Sequence, residues 1–546
     1  MRKGQWLLII LVFVGIRIPK WRSYDPDLNF VVQQVRAFNR YGILERRGVL
    51  IWNFQTQGRV PNPSDYNYPN HSPVLYWVAW ALTHLLGERS LWFIGLAIGW
   101  LNLVLAWRVA CHARFSASQT TCLLLLLSAS PTLARMELEI VAVYVTTQLL
   151  GFWAILRQSE PTQPESKLNL MVYLLAVAAA LAADWPCGFT VAGWLCYLWL
   201  ERKNPKLHGW WIWTLVALVG AVAAYATYVA SVSPPGEHVS GYVIKQMGVT
   251  SGYVPRSRLA LAIALKFFLL IGPLTALVGL LALIGVGLGR LGNRTQLPFI
   301  RLAVLQVAAW CGFHVIFSQL CAVEQWTYVF FVLSLAGLAC IPLGNVLENR
   351  TYSRVRRGAV IAALVGTVAF QFAFVWLRDS IRQIQQDTKA TLAVVSFLRE
   401  QTQLEDMILS RLSYTSTPLA VDQSLLGAKA DRLMFFPGRQ HTHWWTDRIG
   451  PQANRYVLVQ DNSPDPLPEE IAAVPMESVA TTTVPLAPRK LNLAMRLQLF
   501  YWRLRSLPPQ FPEVEQEAGS VTVRLLRVKT SGTSAFPPRW ADGGSK

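Results

Sequence analysis

The sequence predicts a polytopic, all-α membrane protein followed by a small α/β domain, and three observations carry that prediction. Of the 546 residues, 53% are hydrophobic and only 15% are charged, a balance foreign to a water-soluble chain of this length. Apolar stretches near membrane-crossing length, about 17 to 25 residues, recur up to Leu377. Beyond Leu377 the chain turns polar, and RYVLVQ and SVTVRLLRV alternate with the period of half-buried strands.

The first apolar segment, QWLLIILVFVGIRIP, is short for a span, but Lys3 and Arg17 can snorkel outward at its two ends. It lacks a small-x-small cleavage site, so it reads as an uncleaved first helix and not as a signal peptide. Further spans are expected near residues 90–111, 119–135, 138–156, 168–183, 187–200, 209–232, 259–288, 299–320, 325–344 and 358–377. These make about eleven crossings. With MRK inside, the basic turns HARFSAS, ERKNPKLH, RLGNRTQLPFIR and ENRTYSRVRR all fall on the cytoplasmic side. An odd count then puts the C-terminus outside.

VLYWVAWALTHLL, residues 74–86, is an extra apolar helix that this count cannot use. It is expected to lie along the outer interface, with Tyr76, Trp77 and Trp80 in the aromatic belt. Residues 20–73 and 233–258 become large outer loops, the second rich in Gly, Pro and Ser. The domain plan is a membrane domain over 1–377 that includes the first loop, an extracytoplasmic α/β domain over 378–530, and a disordered tail over 531–546. Within the α/β domain DTKATLAVVSFLREQ reads as an amphipathic helix.

The formal charge of +19 comes from basic residues scattered between apolar spans. That pattern anchors helices and argues against nucleic acid as a partner. The seven cysteines, Cys111, Cys122, Cys187, Cys196, Cys311, Cys321 and Cys340, lie in or beside apolar segments without metal-ligand spacing. HTHWWTD, with His441, His443 and Asp447, has too unspecific a spacing to assign a metal. The chain has no Walker lysine loop, no GxGxxG after a strand and no GxSxG. Neither nucleotide-driven nor serine-hydrolase chemistry is supported.

The stretch SYDPDLNFVVQQVRAFNRYG, residues 23–42, sets Asp25 and Asp27 just after the first membrane segment. Val31, Val35 and Phe38 recur at i, i+4 and i+7, so an amphipathic helix is expected to begin near Asp27. Asp27 can simply cap that helix. A helix N-terminus also keeps a carboxylate ionised, so a cap and a general base are compatible roles.

A carboxylate after the first membrane helix, Arg36 nine residues beyond Asp27, and then YPNHSPVLYW resemble the membrane glycosyltransferases of the GT-C fold. The likeness is to the branch dependent on polyprenyl-phosphate sugars, which includes protein mannosyltransferases and lipid A aminoarabinose transferase. The resemblance implies a catalytic Asp in the first outer loop, here Asp27 with Asp25 as its rival, and Leu28 stands where the family often has Glu. It also implies a His- or Lys-Pro-Pro-Leu-Tyr segment, matched by His71, Ser72, Pro73, Val74, Leu75 and Tyr76 and flanked by Tyr68. SPTLARMELEIVAVY, residues 130–144, matches the place of a second acid, Glu139, with Glu137 as the alternative. An Arg135–Glu139 pair that only orients two helices is the other reading of that acid. In LAADWPCGF, residues 181–189, Asp184 occupies a place where the family often has Lys.

The implied activity is inverting transfer of a sugar from a polyprenyl-phosphate donor to a lipid, glycan or protein acceptor on the outer face of a bacterial inner membrane. A departing phosphate needs cations or strong donors. His71, Lys245, Arg256 and Arg258 are the candidates, although both arginines also suit interfacial anchoring. Glu324, Gln325 and Trp326 could meet sugar hydroxyls at another outer corner. No cofactor is fixed by the motifs, and a divalent metal held by Glu139 is the candidate. A lipid or sugar transporter or flippase, and a non-catalytic scaffold of the same fold, are the rival readings. Transporters usually carry repeats and broken midplane helices, whereas here the carboxylates gather at outer ends and loops.

Overall fold

A computed structural model describes residues 3–22, 30–45, 48–50, 71–136, 141–160, 166–232, 256–323, 326–386, 389–412, 429–435, 454–461, 469–486 and 519–529, together with Leu426, Leu467, Pro488, Lys490, Leu491, Arg496 and Glu517. The chain divides into two compact units. One comprises Met1–Tyr24 and Pro69–Leu377, the other Asp25–Tyr68 and Arg378–Lys546.

The chain opens with helices α1 (Lys3–Arg22) and α2 (Phe30–Tyr41), of which only α1 belongs to the first unit. The first unit continues through α3 (Val74–Leu86), α4 (Ser90–His112), α5 (Ala117–Ala129), α6 (Pro131–Met136), α7 (Val141–Ser159) and α8 (Lys167–Ala183). There follow α9 (Gly188–Leu200), α10 (Trp210–Val232), α11 (Arg256–Ile271), α12 (Pro273–Gly287), α13 (Leu297–Ile316) and α14 (Ser318–Val323). Helix α15 (Val329–Glu348) and the 33-residue α16 (Arg354–Gln386), which runs through Leu377, complete it.

Helix α15 is the centre of the bundle: 83% of its most apolar stretch is buried, against 11% for α10, which keeps Trp213, Val216, Val219 and Val222 on the outside. An apolar outer surface of that kind is what lipid tails solvate. Among the described residues five helices are long and apolar enough to cross a membrane, or six when α11 and α12 count as one broken span.

Three of the expected continuous spans are broken: that over 299–320 at Phe317, between α13 and α14, and two others each at a proline. The span expected over 119–135 divides at Ser130, whose extended backbone (ψ 120°) is the conformation a following Pro131 favours. Its hydroxyl accepts from Leu133 N, so Ser130 ends one helix and caps the next. The span expected over 259–288 bends by 107° at Gly272. Gly272 has φ 101°, which only glycine adopts freely, and Pro273 opens α12 with the φ a helix start needs. At the other end of α5, Ser116 and Gln119 form a reciprocal capping box.

The second unit is built on a five-stranded mixed sheet of order β2-β1-β3-β5-β4. Strands β1 (Met407–Ser410), β2 (Leu433–Phe435) and β3 (Arg455–Gln460) are parallel, while β5 (Gly519–Val528) runs antiparallel to β3 and to β4 (Met476–Leu486). The period of two divides the side chains between two faces. Ile408, Tyr456, Leu458 and Leu525 pack with Val394, Val395 and Leu398 of helix α17 (Lys389–Gln401). Met407, Leu409, Val457 and Val528 pack on the other face with Ile471 of the short helix α18 (Glu469–Ala472), and Ala37 and Tyr41 of α2 join them.

Helix α2 therefore covers one face of a sheet whose strands begin more than 360 residues later. Arg40 fixes it there with two 3.1 Å hydrogen bonds to Asp431. Its expected apolar stripe is buried, with Val35 and Phe38 at 0% and 1% exposure.

Candidate active site around Asp184

The site begins where α8 ends. Asp184 takes an extended backbone after Ala183, and its carboxylate Oδ1 accepts from Trp185 N at 2.9 Å, capping the 3-10 turn Trp185–Cys187. That places a fully buried carboxylate at one end of the helical bundle. A charge so placed is costly unless it is paired and hydrogen-bonded.

Two further donors meet Oδ2. Tyr144 of α7 donates its hydroxyl at 2.8 Å, and His71 approaches through Nδ1 at 2.6 Å. Tyr144 is fixed by stacking on Phe330, which stacks in turn on Trp310 at 3.6 Å between ring centroids. Trp310 donates its indole N–H to Thr190. The aromatic column holds the tyrosine hydroxyl in place.

His71 is fixed from its own segment as well. The Ser72 hydroxyl donates to Ala182 O and accepts from Val74 N, tying the start of α3 to the last turn of α8. Trp326 meets the imidazole edge-on at 6.2 Å. The His71 side chain keeps 22% of its surface while that of Asp184 keeps 1%. The pair is thus an imidazole at a surface backed by a carboxylate with no solvent. Tyr76, on the first turn of α3, and Cys187 lie within electrostatic reach of Tyr144.

Of the residues named from sequence, His71, Tyr76 and Trp326 come to this one cluster. Arg258 stands exposed on the first turn of α11, which Arg256 opens, and this fits an anchor. Arg36 is half-buried on α2, in the other unit. Asp25, Asp27, Tyr68, Glu137, Glu139, Lys245 and Glu324 lie outside the described residues. No three His, Cys, Asp or Glu side chains gather as a metal-ligand set among the described residues.

Sequence reasoning treats Asp184 as a departure and does not single out Tyr144. It also passes over Lys266, an ammonium 4% exposed on α11, although a lysine in an apolar helix is a functional candidate by type.

With this geometry in hand, solved structures supply the comparison. ArnT from Cupriavidus metallidurans, bound to undecaprenyl phosphate, superposes with a TM-score of 0.53 at 12% identity, covering 88% of this chain and 97% of that one. The Archaeoglobus fulgidus oligosaccharyltransferase, in complex with Zn and sulfate, superposes with a TM-score of 0.51 at 12% identity, covering 84% of this chain and 68% of that one.

The chain has the GT-C fold. No family model matches it, and no curated protein matches it in sequence. At such identities the likeness is one of fold, and the chemistry has to be argued from the site.

Proposed function

We propose that this GT-C chain is an integral membrane glycosyltransferase that moves a sugar from a polyprenyl-phosphate carrier to an acceptor on the outer face, with inversion. The observation that carries the reading is the Asp184-backed His71, a charge-capable donor at the start of the interfacial helix α3. It stands in a fold whose solved example ArnT was bound to undecaprenyl phosphate.

In this reading Asp27, or its rival Asp25, is the base. The acceptor hydroxyl attacks the anomeric carbon, its proton passes to the carboxylate, and the carbon–oxygen bond to phosphate breaks. The phosphate gains one negative charge as it leaves, and His71, with Lys245, Arg256 or Arg258, meets that charge. Base and electrostatic contributions of this kind are each worth roughly 2–5 kcal/mol. Glu139 or Glu137 orients the acceptor or holds a divalent metal. Arg36, Tyr68, Tyr76 and Glu324 are the further residues we assign to substrate binding.

We assign the chain about eleven crossings with residues 20–73, 233–258 and 378–546 facing outward, the arrangement this reaction requires. A bacterial inner membrane with the site toward the periplasm is the setting we assign. The sugar transferred is a hexose or a pentose.

The test is turnover of a panel of polyprenyl-phosphate pentoses and hexoses by the purified full-length protein, read as release of polyprenyl phosphate. A transporter would move the lipid across a bilayer with the glycosidic bond intact, and a scaffold would do neither.

A further inference from the structure

The sheet of the second unit ends on an exposed strand. Strand β4 pairs with β5 on one side, and among the described residues nothing is hydrogen-bonded to its other side. Val479, Thr481, Thr483 and Pro485 are exposed along it. We infer that a second copy of this chain docks on that edge, with the two β4 strands pairing antiparallel so that the two sheets run on as one.

An edge strand offers a row of unpaired N–H and C=O groups to any other strand, and sheets that stay apart protect a long edge with lysines, prolines, bulges or a covering element. In β4 the protection sits at the two ends. A bulge falls between Ser478 and Ala480, and Pro485, which has no N–H, lies toward the far end. Between them Ala480, Thr481, Thr482, Thr483 and Val484 form a bare window with neither charge nor proline. Glu477 is the one charged residue of the strand. It lies outside the window, where Arg527 of β5 donates to it at 3.0 Å.

The window is complementary to itself, and this decides the occupant. A two-fold axis through Thr482 sets Ala480 opposite Val484 and Thr481 opposite Thr483. Ala480 and Val484 both belong to the face that packs with α17, so the apolar layer continues across the junction. Thr481 and Thr483 lie on the opposite face, where directly opposed threonines make favourable cross-strand pairs. Glu477 stands farther from this axis than Leu486, the last residue of β4, so it meets no like charge within the strand. A foreign strand would need the same neutral, β-branched character, and the chain already supplies it.

The test is the protein mass of the full-length chain in detergent, measured by light scattering with the bound detergent subtracted, over a range of micromolar concentrations. Two double variants change the same exposed positions. Thr481→Glu with Thr483→Glu sets glutamate opposite glutamate at both crossings, whereas Thr481→Glu with Thr483→Lys sets each glutamate opposite a lysine. Thr481 pairs with Arg524 on β5, so a glutamate there faces a cation within its own sheet. The wild type is expected to run as a dimer, the first variant to halve that mass, and the second to keep it, with matching circular dichroism in all three.

A cross-link keeps the test intact should the double-glutamate chain fail to fold. Directly paired residues of antiparallel strands have Cα atoms about 4.5–5.5 Å apart, inside the disulfide range of about 4.4–6.8 Å. Thr482→Cys on the axis should therefore give a reducible intermolecular cross-link that Glu477→Cys does not. A wild type that stays monomeric at every concentration overturns the inference and leaves the edge to a strand of another protein. A dimer that the two glutamates leave intact, or one that cross-links equally well from position 477, also overturns it, because the copies then meet elsewhere.

Discussion

Asp184 and Asp27 are assigned different tasks, and the surroundings of Asp184 explain why it is not the base. Asp184 has its oxygens committed to a backbone N–H, a phenol and an imidazole. A carboxylate so engaged cannot also take a proton from a substrate without breaking that set. The base must be elsewhere, and Asp27→Asn tests the assignment: it keeps a capping oxygen and removes the base. Sugar transfer should fall by about 100-fold or more, with expression and thermal midpoint unchanged. Asp25→Asn should be milder. Full transfer in Asp27→Asn with loss in Asp25→Asn would reverse the two roles. His71 and Tyr76 were legible because they share a compact motif with α3. Asp184 was not, because its meaning depends on His71, 113 residues away in the chain, and no local pattern encodes a partner at that distance.

At the scale of elements, apolar length and period foretold where helices and strands lie better than where they break. Helix α3 spans Val74–Leu86 as its apolar run does, and β3 spans Arg455–Gln460, the alternating RYVLVQ. The breaks at Ser130 and Gly272 were missed because a hydropathy window averages over a single proline, whereas the backbone cannot. Gly272 offers a direct check. A Cβ there would lie 1.8 Å from Gln371 Nε2, on a backbone with φ 101°. Gly272→Ala should destabilise the protein by about 1–3 kcal/mol, seen as a lower thermal midpoint in detergent. Gly209→Ala, with φ 81° but nothing within 4 Å, should cost less because it meets only backbone strain. Equal effects of the two would mean that the space beside Gln371 is not as tight as described. The amphipathic stripe of α2 was likewise legible, but its partner was not: Ala37 and Tyr41 pack with strands more than 360 residues downstream, and a period says that a face is buried without saying against what.

For the molecule as a whole, composition foretold a membrane protein, since 53% hydrophobic with only 15% charged residues departs from the balance of a water-soluble chain. Two of the five strands of the polar C-terminal region, β3 and β5, were visible in their alternation. The grouping of Asp25–Tyr68 with Arg378–Lys546 in one unit was not, because it joins segments far apart in sequence. A cysteine placed at Ser463 should react with a membrane-impermeant maleimide added from outside, and a purely cytoplasmic signal would reverse the count of crossings and the face of the active site. The central claim is sugar transfer from a lipid phosphate. Its most direct test is to supply the purified chain with polyprenyl-phosphate sugars labelled in the sugar and follow the label. The account predicts that label leaves the lipid for an acceptor as polyprenyl phosphate is released, and that Asp27→Asn suppresses this. Label that stays on the lipid for every donor, while the intact lipid crosses the bilayer, would contradict it.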